Sequence, residues 1–157
     1  MRHSILICFL IQTLLTINLF GQETKVNLVI QWNDKLVRQE ISNSRLYIET
    51  TKEIHNLDVS YNTGDLILPA DVTTILNRDS IKSMTLTFDL NSFKRDKHEI
   101  LNVKANFSKF LIGQPSLILN VYDFRDKKYK RGLGYLTTDN YICEYEFSGS
   151  GQYIWKK

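Results

Sequence analysis

The stretch Met84-Thr85-Leu86-Thr87-Phe88-Asp89-Leu90 alternates apolar and polar residues without a break. Successive side chains of an extended chain point to opposite faces, so Met84, Leu86, Phe88 and Leu90 share one face and Thr85, Thr87 and Asp89 the other. A helix would scatter the same residues around its circumference. The segment therefore predicts a half-buried strand, and the pattern recurs on both sides of it. Upstream, Val26, Leu28, Ile30 and Trp32 alternate with Asn27, Val29 and Gln31. Downstream, Leu101, Val103, Ala105 and Phe107 alternate with Ile100, Asn102, Lys104 and Asn106.

Shorter strands follow from the same reasoning at residues 45–49, 57–61 and 65–68, the last two joined by the turn-forming Asn62-Thr63-Gly64. Residues 116–124 are apolar on both faces, as expected of a central strand covered on both sides. Residues 128–136, 141–147 and 152–156 read as three further strands with short connectors, which favours antiparallel pairing. One segment looks helical: residues 70–77 carry Val72, Ile75 and Leu76 at helical spacing after Pro69.

About eight to ten short strands with closely spaced turn signals predict an all-β chain folded as an antiparallel two-sheet sandwich. An immunoglobulin-like or transthyretin-like arrangement fits this, with one short helix near residues 70–77. The Cys…Trp…Cys spacing of true immunoglobulin domains is absent. Fold class alone does not assign a function.

Residues 1–21 differ from the rest. Arg2 is followed by a mostly apolar run over residues 5–20 that ends at Gly21, the order of a secretory signal peptide. A membrane anchor needs roughly 20 predominantly apolar residues, and here Gln12, Thr13, Thr16 and Asn18 interrupt a shorter run. The expectation is cleavage before Gln22, a single sandwich domain over residues 22–157, no transmembrane segment after cleavage, and a secreted or periplasmic destination. Cleavage discards Cys8 and leaves Cys143 alone. An internal disulfide is then impossible, and a cysteine-based zinc site is unsupported. The 20 basic and 17 acidic residues of the chain give a formal net charge of +3. So balanced a chain lacks the strong basic footprint of a dedicated nucleic-acid binder.

Few residues invite a chemical reading. His55 and His98 read as unrelated surface histidines rather than a metal or acid/base pair. Ser148-Gly149-Ser150-Gly151 reads as a hairpin turn, since a nucleophile elbow needs a glycine at position 148 and a helix after it. Cys143 reads as a small apolar residue. Glu144 and Glu146 share a strand face and read as solvated, although paired carboxylates are also what glycoside hydrolysis uses. Asn106-Phe107-Ser108 matches a glycosylation acceptor, relevant only in a eukaryotic source. No catalytic residue, metal site or cofactor is implied.

The most distinctive segment is Arg125-Asp126-Lys127-Lys128-Tyr129-Lys130-Arg131, with five basic residues against one acid. Between two strands it should project as a cationic hairpin. That makes Arg125, Lys127, Lys128, Tyr129, Lys130 and Arg131 candidate binding residues for phosphate or sulfate groups. Aromatic residues crowd the same part of the chain, from Tyr122 to Trp155, and aromatics beside cations are common in recognition surfaces. The bland alternative is that Lys128 and Lys130 keep a strand edge soluble.

The reading is of an exported, non-enzymatic binding or accessory protein whose partner is an unknown protein or an anionic envelope component. Two alternatives stand beside it. One is a hydrolase acting on an extracellular polymer through Glu144 or Glu146. The other is a structural protein that assembles through strand edges, for which an unpaired edge at residues 26–32 would speak.

Overall fold

The computed structural model describes residues 23–94, 97–149 and 153–154. The expected leader at residues 1–21 lies outside them, as do Ser150, Gln152 and Trp155. Two sheets pack face to face. The larger runs β11-β10-β9-β1-β6-β5, and the smaller runs β4-β3-β7-β8. In chain order the strands are β1 (Thr24–Trp32), β2 (Lys35–Leu36), β3 (Ile41–Thr50), β4 (Ile54–Asp58), β5 (Ser60–Asn62) and β6 (Gly64–Leu68). After helix α1 (Ala70–Arg78) come β7 (Ile81–Lys94) and β8 (Lys97–Phe107), then the short α2 (Lys109–Ile112) and β9 (Leu117–Asp123). Helix α3 (Lys127–Leu133), β10 (Tyr141–Phe147) and β11 (Tyr153–Ile154) complete the described chain.

The alternation read from the sequence supplies both walls of the core. Val26, Leu28 and Ile30 of β1 and Leu117, Leu119 and Val121 of β9 face Leu46 and Ile48 of β3, Met84, Leu86, Phe88 and Leu90 of β7, and Leu101, Val103, Ala105 and Phe107 of β8. All are buried. The doubly apolar segment at 116–124 becomes β9, hydrogen-bonded to β1 on one side and β10 on the other. Its pairing with β1 is parallel, whereas every other strand pair described is antiparallel. Such a pair needs a crossover, and 84 residues separate the two ends, so hairpin reasoning about neighbours could not have found it. Since β1 lies inside the sheet, between β9 and β6, residues 26–32 do not form the open edge that self-assembly would use there.

Two strand readings need correction. The segment 57–61 is not one strand. Val59 is buried where the chain leaves the small sheet after β4 and enters the large one as β5, its N–H donating to the Ser44 carbonyl (3.1 Å). The segment 128–136 is not a strand either, because residues 127–133 form α3. Asp126 caps that helix, accepting from the Lys128 N–H (2.9 Å), and Lys and Arg are good helix formers. Tyr129 and Leu133, four residues apart, turn the same side toward the sheet.

The expected turn at 62–64 is present. Asn62 pairs with Asp65, and Gly64 takes φ of +91°, a conformation that glycine alone adopts without strain. The β1–β2 turn uses Asn33 and Asp34, both at positive φ (50° and 62°), as a two-residue hairpin of primed type requires. Asn33 also ties this turn to the end of β9. Its side-chain oxygen accepts from the Asp123 N–H (2.8 Å), and its own N–H donates to the Val121 carbonyl (3.0 Å). At the free edge of β8, the Lys104 N–H donates to the Tyr141 hydroxyl (2.8 Å), which bridges the two sheets. The helix expected at 70–77 is α1, with Val72 and Ile75 buried. No described helix is long and apolar enough to cross a membrane.

Candidate functional site

Helix α3 lies on the outer face of the large sheet. Beneath it Phe124, Tyr129 and Ile142 form a small apolar cluster separate from the main core, with Tyr122, Leu133 and Leu136 packed around it. Tyr122 and Tyr129 stack, their ring centres 5.3 Å apart. The helix is also tied at its side. The Tyr129 hydroxyl donates to Asp34 Oδ2 (2.6 Å), and Lys128 Nζ reaches the same oxygen (3.3 Å). The Tyr129 hydrogen bond holds the Asp34 carboxyl below its ordinary range.

The six candidate binding residues therefore fall into different surroundings. Tyr129 is buried. Arg125 grips the buried Asp123 through Nε (2.8 Å) and Nη2 (2.6 Å), reaches Glu99 at 3.5 Å, and lies over the Trp32 ring. Lys128 belongs to the Asp34–Tyr129 tie. Lys127, Lys130 and Arg131 remain, exposed and without an acidic partner among the described residues. Their i, i+3, i+4 spacing places them together on the helix surface away from Tyr129. Tyr135, just beyond the helix, is 81% exposed. These cations stand on a helix, so they guard no strand edge, and the expected projecting hairpin is replaced by a helix laid on the sheet.

The carboxylates of β10 depart further from expectation. Glu144 and Glu146 do share the outer face of the sheet, but Glu144 is only 4% exposed and its Oε1 has no hydrogen-bond partner among the described residues. Burial pushes its carboxyl pKa up, and the neighbouring Glu146 adds to this, while a hydrogen bond with Tyr122 opposes it. The Tyr122 phenol is in turn raised to about 12, first by burial and then by Glu144. Asn120, directly across from Glu144 on β9 and 3% exposed, donates from Nδ2 to Glu146 Oε1 (2.7 Å). Sequence alternation assigned the face correctly but carried no signal that the face is covered.

The remaining candidates stay apart. Cys143 is half-buried against the main core, on the opposite face of β10 from Glu144, and burial raises its thiol to about 12. So high a pKa leaves almost no thiolate near neutrality. His55 on β4 lies 3.4 Å from Glu53, and His98 on β8 bonds to the Asn91 side chain (3.0 Å), so the two histidines form no pair. Gly149 takes φ of +83°, in keeping with a turn after β10. Ser108 caps α2 through its side chain. Among the described residues no three His, Cys, Asp or Glu side chains gather as a metal site would require. No family model matches the chain, and neither a curated protein nor a solved structure matches it.

Proposed function

We propose that the chain is an exported, non-enzymatic binding module that engages an anionic envelope component through the outward face of α3. The observation that carries this reading is the separation of charges around the helix. Arg125 and Lys128 are neutralised within the fold, whereas Lys127, Lys130 and Arg131 present three unpaired charges within about one helical turn. The exposed Tyr135, two residues past the end of α3, adds an amphipathic contact. A convex surface of this kind suits a polymer bearing phosphate or sulfate groups better than a single small anion. The signal-like composition of residues 1–21 supports export.

The test is retention on a sulfated matrix. Wild type should be held at low salt and released as salt screens the charges, while the triple variant K127Q/K130Q/R131Q should pass through with its circular dichroism unchanged. Equal retention of the two proteins would refute the reading. Export is tested separately by intact-mass measurement in the native host, which should show loss of residues 1–21.

A carboxylate-based hydrolase is the second reading, favoured by the buried position of Glu144, which moves its carboxyl pKa up from the ordinary value, the direction a general acid needs. A polymer must also reach that carboxyl, and its burial weighs against this. Turnover of an extracellular polysaccharide by wild type and not by E144Q would favour the hydrolase.

A further inference from the structure

We propose that the outer face of the small sheet, on the other side of the sandwich from α3, binds a neutral glycan chain across Tyr47. The strand register sets out this surface. Asn56 of β4, Tyr47 of β3, Thr85 of β7 and Asn106 of β8 stand in one row across the sheet, each paired with the next. Strands lie about 4.8 Å apart, so the row is about 14 Å long. Tyr47 is half-buried within it, and both ends, Asn56 and Asn106, are exposed. Among the described residues no partner engages the side chains of Tyr47, Thr85 or Asn106.

The neighbouring rows are held in place and carry no surplus charge. Arg45 pairs with Asp58 (3.2 Å) and Lys82 with Glu49 (3.7 Å). Asp89 accepts from the amide nitrogens of Asn43 (2.7 Å) and Asn102, which leaves the oxygen of each amide as an acceptor. Asn43 reaches Asp89 from a positive φ of 52° at an irregularity in β3. Lys104, diagonal to Asp89 across the β7–β8 pair, balances its charge. Side chains already tied to one another have less rotamer freedom to lose when a ligand arrives.

The chemistry of the face selects the partner. Its balanced charges give no complement to a polyanion or a polycation. A protein interface is built around a buried apolar centre, whereas here the exposed Ile54 and Ile100 stand on the two opposite edge strands, β4 and β8. What remains is one aromatic ring among amides and hydroxyls. A sugar presents the matching pair: a C–H face that packs on a tyrosine ring, and hydroxyls, each donor and acceptor at once, that suit amide and hydroxyl partners. None of the free cations of α3 takes part, so this surface stands or falls separately from that one.

The experiment measures depletion of the purified chain from solution by insoluble cellulose, chitin and mannan, at salt high enough to screen the charges of α3. At least one of the three should retain wild type and release it to the corresponding soluble oligosaccharide. Tyr47→Ala should weaken that binding about tenfold or more with its circular dichroism unchanged, and K127Q/K130Q/R131Q should bind as wild type does. No retention on any of the three polysaccharides would overturn the proposal, as would equal retention of Tyr47→Ala. Loss of retention in the triple variant would move the binding to α3 and overturn it too. Should Tyr47→Ala fail to fold, Thr85→Lys, which sets a long charged side chain beside the ring, decides in its place: it must abolish retention, and binding like wild type would overturn the proposal.

Discussion

The outer faces of the two sheets differ in what lies over them. On the small sheet, Arg45, Thr85, Thr87, Asn102 and Lys104 alternate outward from strands whose other face is core, and no described helix covers them. On the large sheet, Tyr122, Ile142 and Glu144 also point away from the core, yet α3 and its cluster roof part of that face. Alternation along a strand reports which side a residue is on. Whether that side meets water depends on another segment packing over it. Solvent-facing residues of the first sheet need only be polar, while those of the second must be satisfied by specific partners, and among the described residues Glu144 Oε1 on that face lacks one.

The contrast can be broken by mutation, beginning with the shared core. Phe88→Ala on β7 and Leu119→Ala on β9 should each cost about 2–5 kcal/mol in denaturant unfolding, since both side chains are buried at the centre of the sandwich. An unchanged midpoint in either would mean that the assigned core face is wrong. Ile142→Ala tests the roofed outer face. It removes part of the small cluster under α3 and should cost about 2 kcal/mol, the lower end of the range for buried aliphatic residues.

Tyr129→Phe keeps the ring and deletes the bond to Asp34, at an expected cost of about 1 kcal/mol near neutral pH. The pH dependence has a definite sign. Asp34 has a folded pKa below its ordinary 3.8, so its contribution is complete above that value and is lost as pH falls through the folded pKa. Stability curves of wild type and Tyr129→Phe should therefore converge in acid, and a gap that persists there would mean that packing, not the Asp34 bond, was lost. The smallest effect is expected on the uncovered face, where Lys104→Gln should stay within about 0.5 kcal/mol of wild type. A cost equal to that of Ile142→Ala would erase the difference between the two faces.

These differences explain what could be read from the residues alone. Strands β1, β7 and β8 each bury one face over seven or more residues, so their alternation is long enough to recognise. The doubly apolar β9 was legible for the same reason, its polarity being suppressed on both sides. Helix α3 was not. It spans two turns, too short for a period to emerge, and Tyr129, Leu133 and Tyr135 at odd positions imitate a strand. The better signal was local: Asp126 at the cap position, and Tyr129 and Leu133 four residues apart. Of the candidate binding residues, the sequence located the basic cluster but not the division between paired and free cations, which depends on Asp34, 94 residues from Lys128 in the chain.

The place of β1 in the larger sheet carries a consequence for how the chain acquires its structure. This strand is the first of the described elements, yet both neighbours that enclose it, β6 and β9, come later, and β9 lies about three quarters of the way along the chain. As the polypeptide emerges from the ribosome, the first strand waits for partners not yet made, and β1 is flanked on both sides only after residue 123. Sequence-distant pairings of this kind are paid for by slow folding. For the export proposed above the delay would be an advantage, because a polypeptide unable to complete its central sheet early remains threadable for longer.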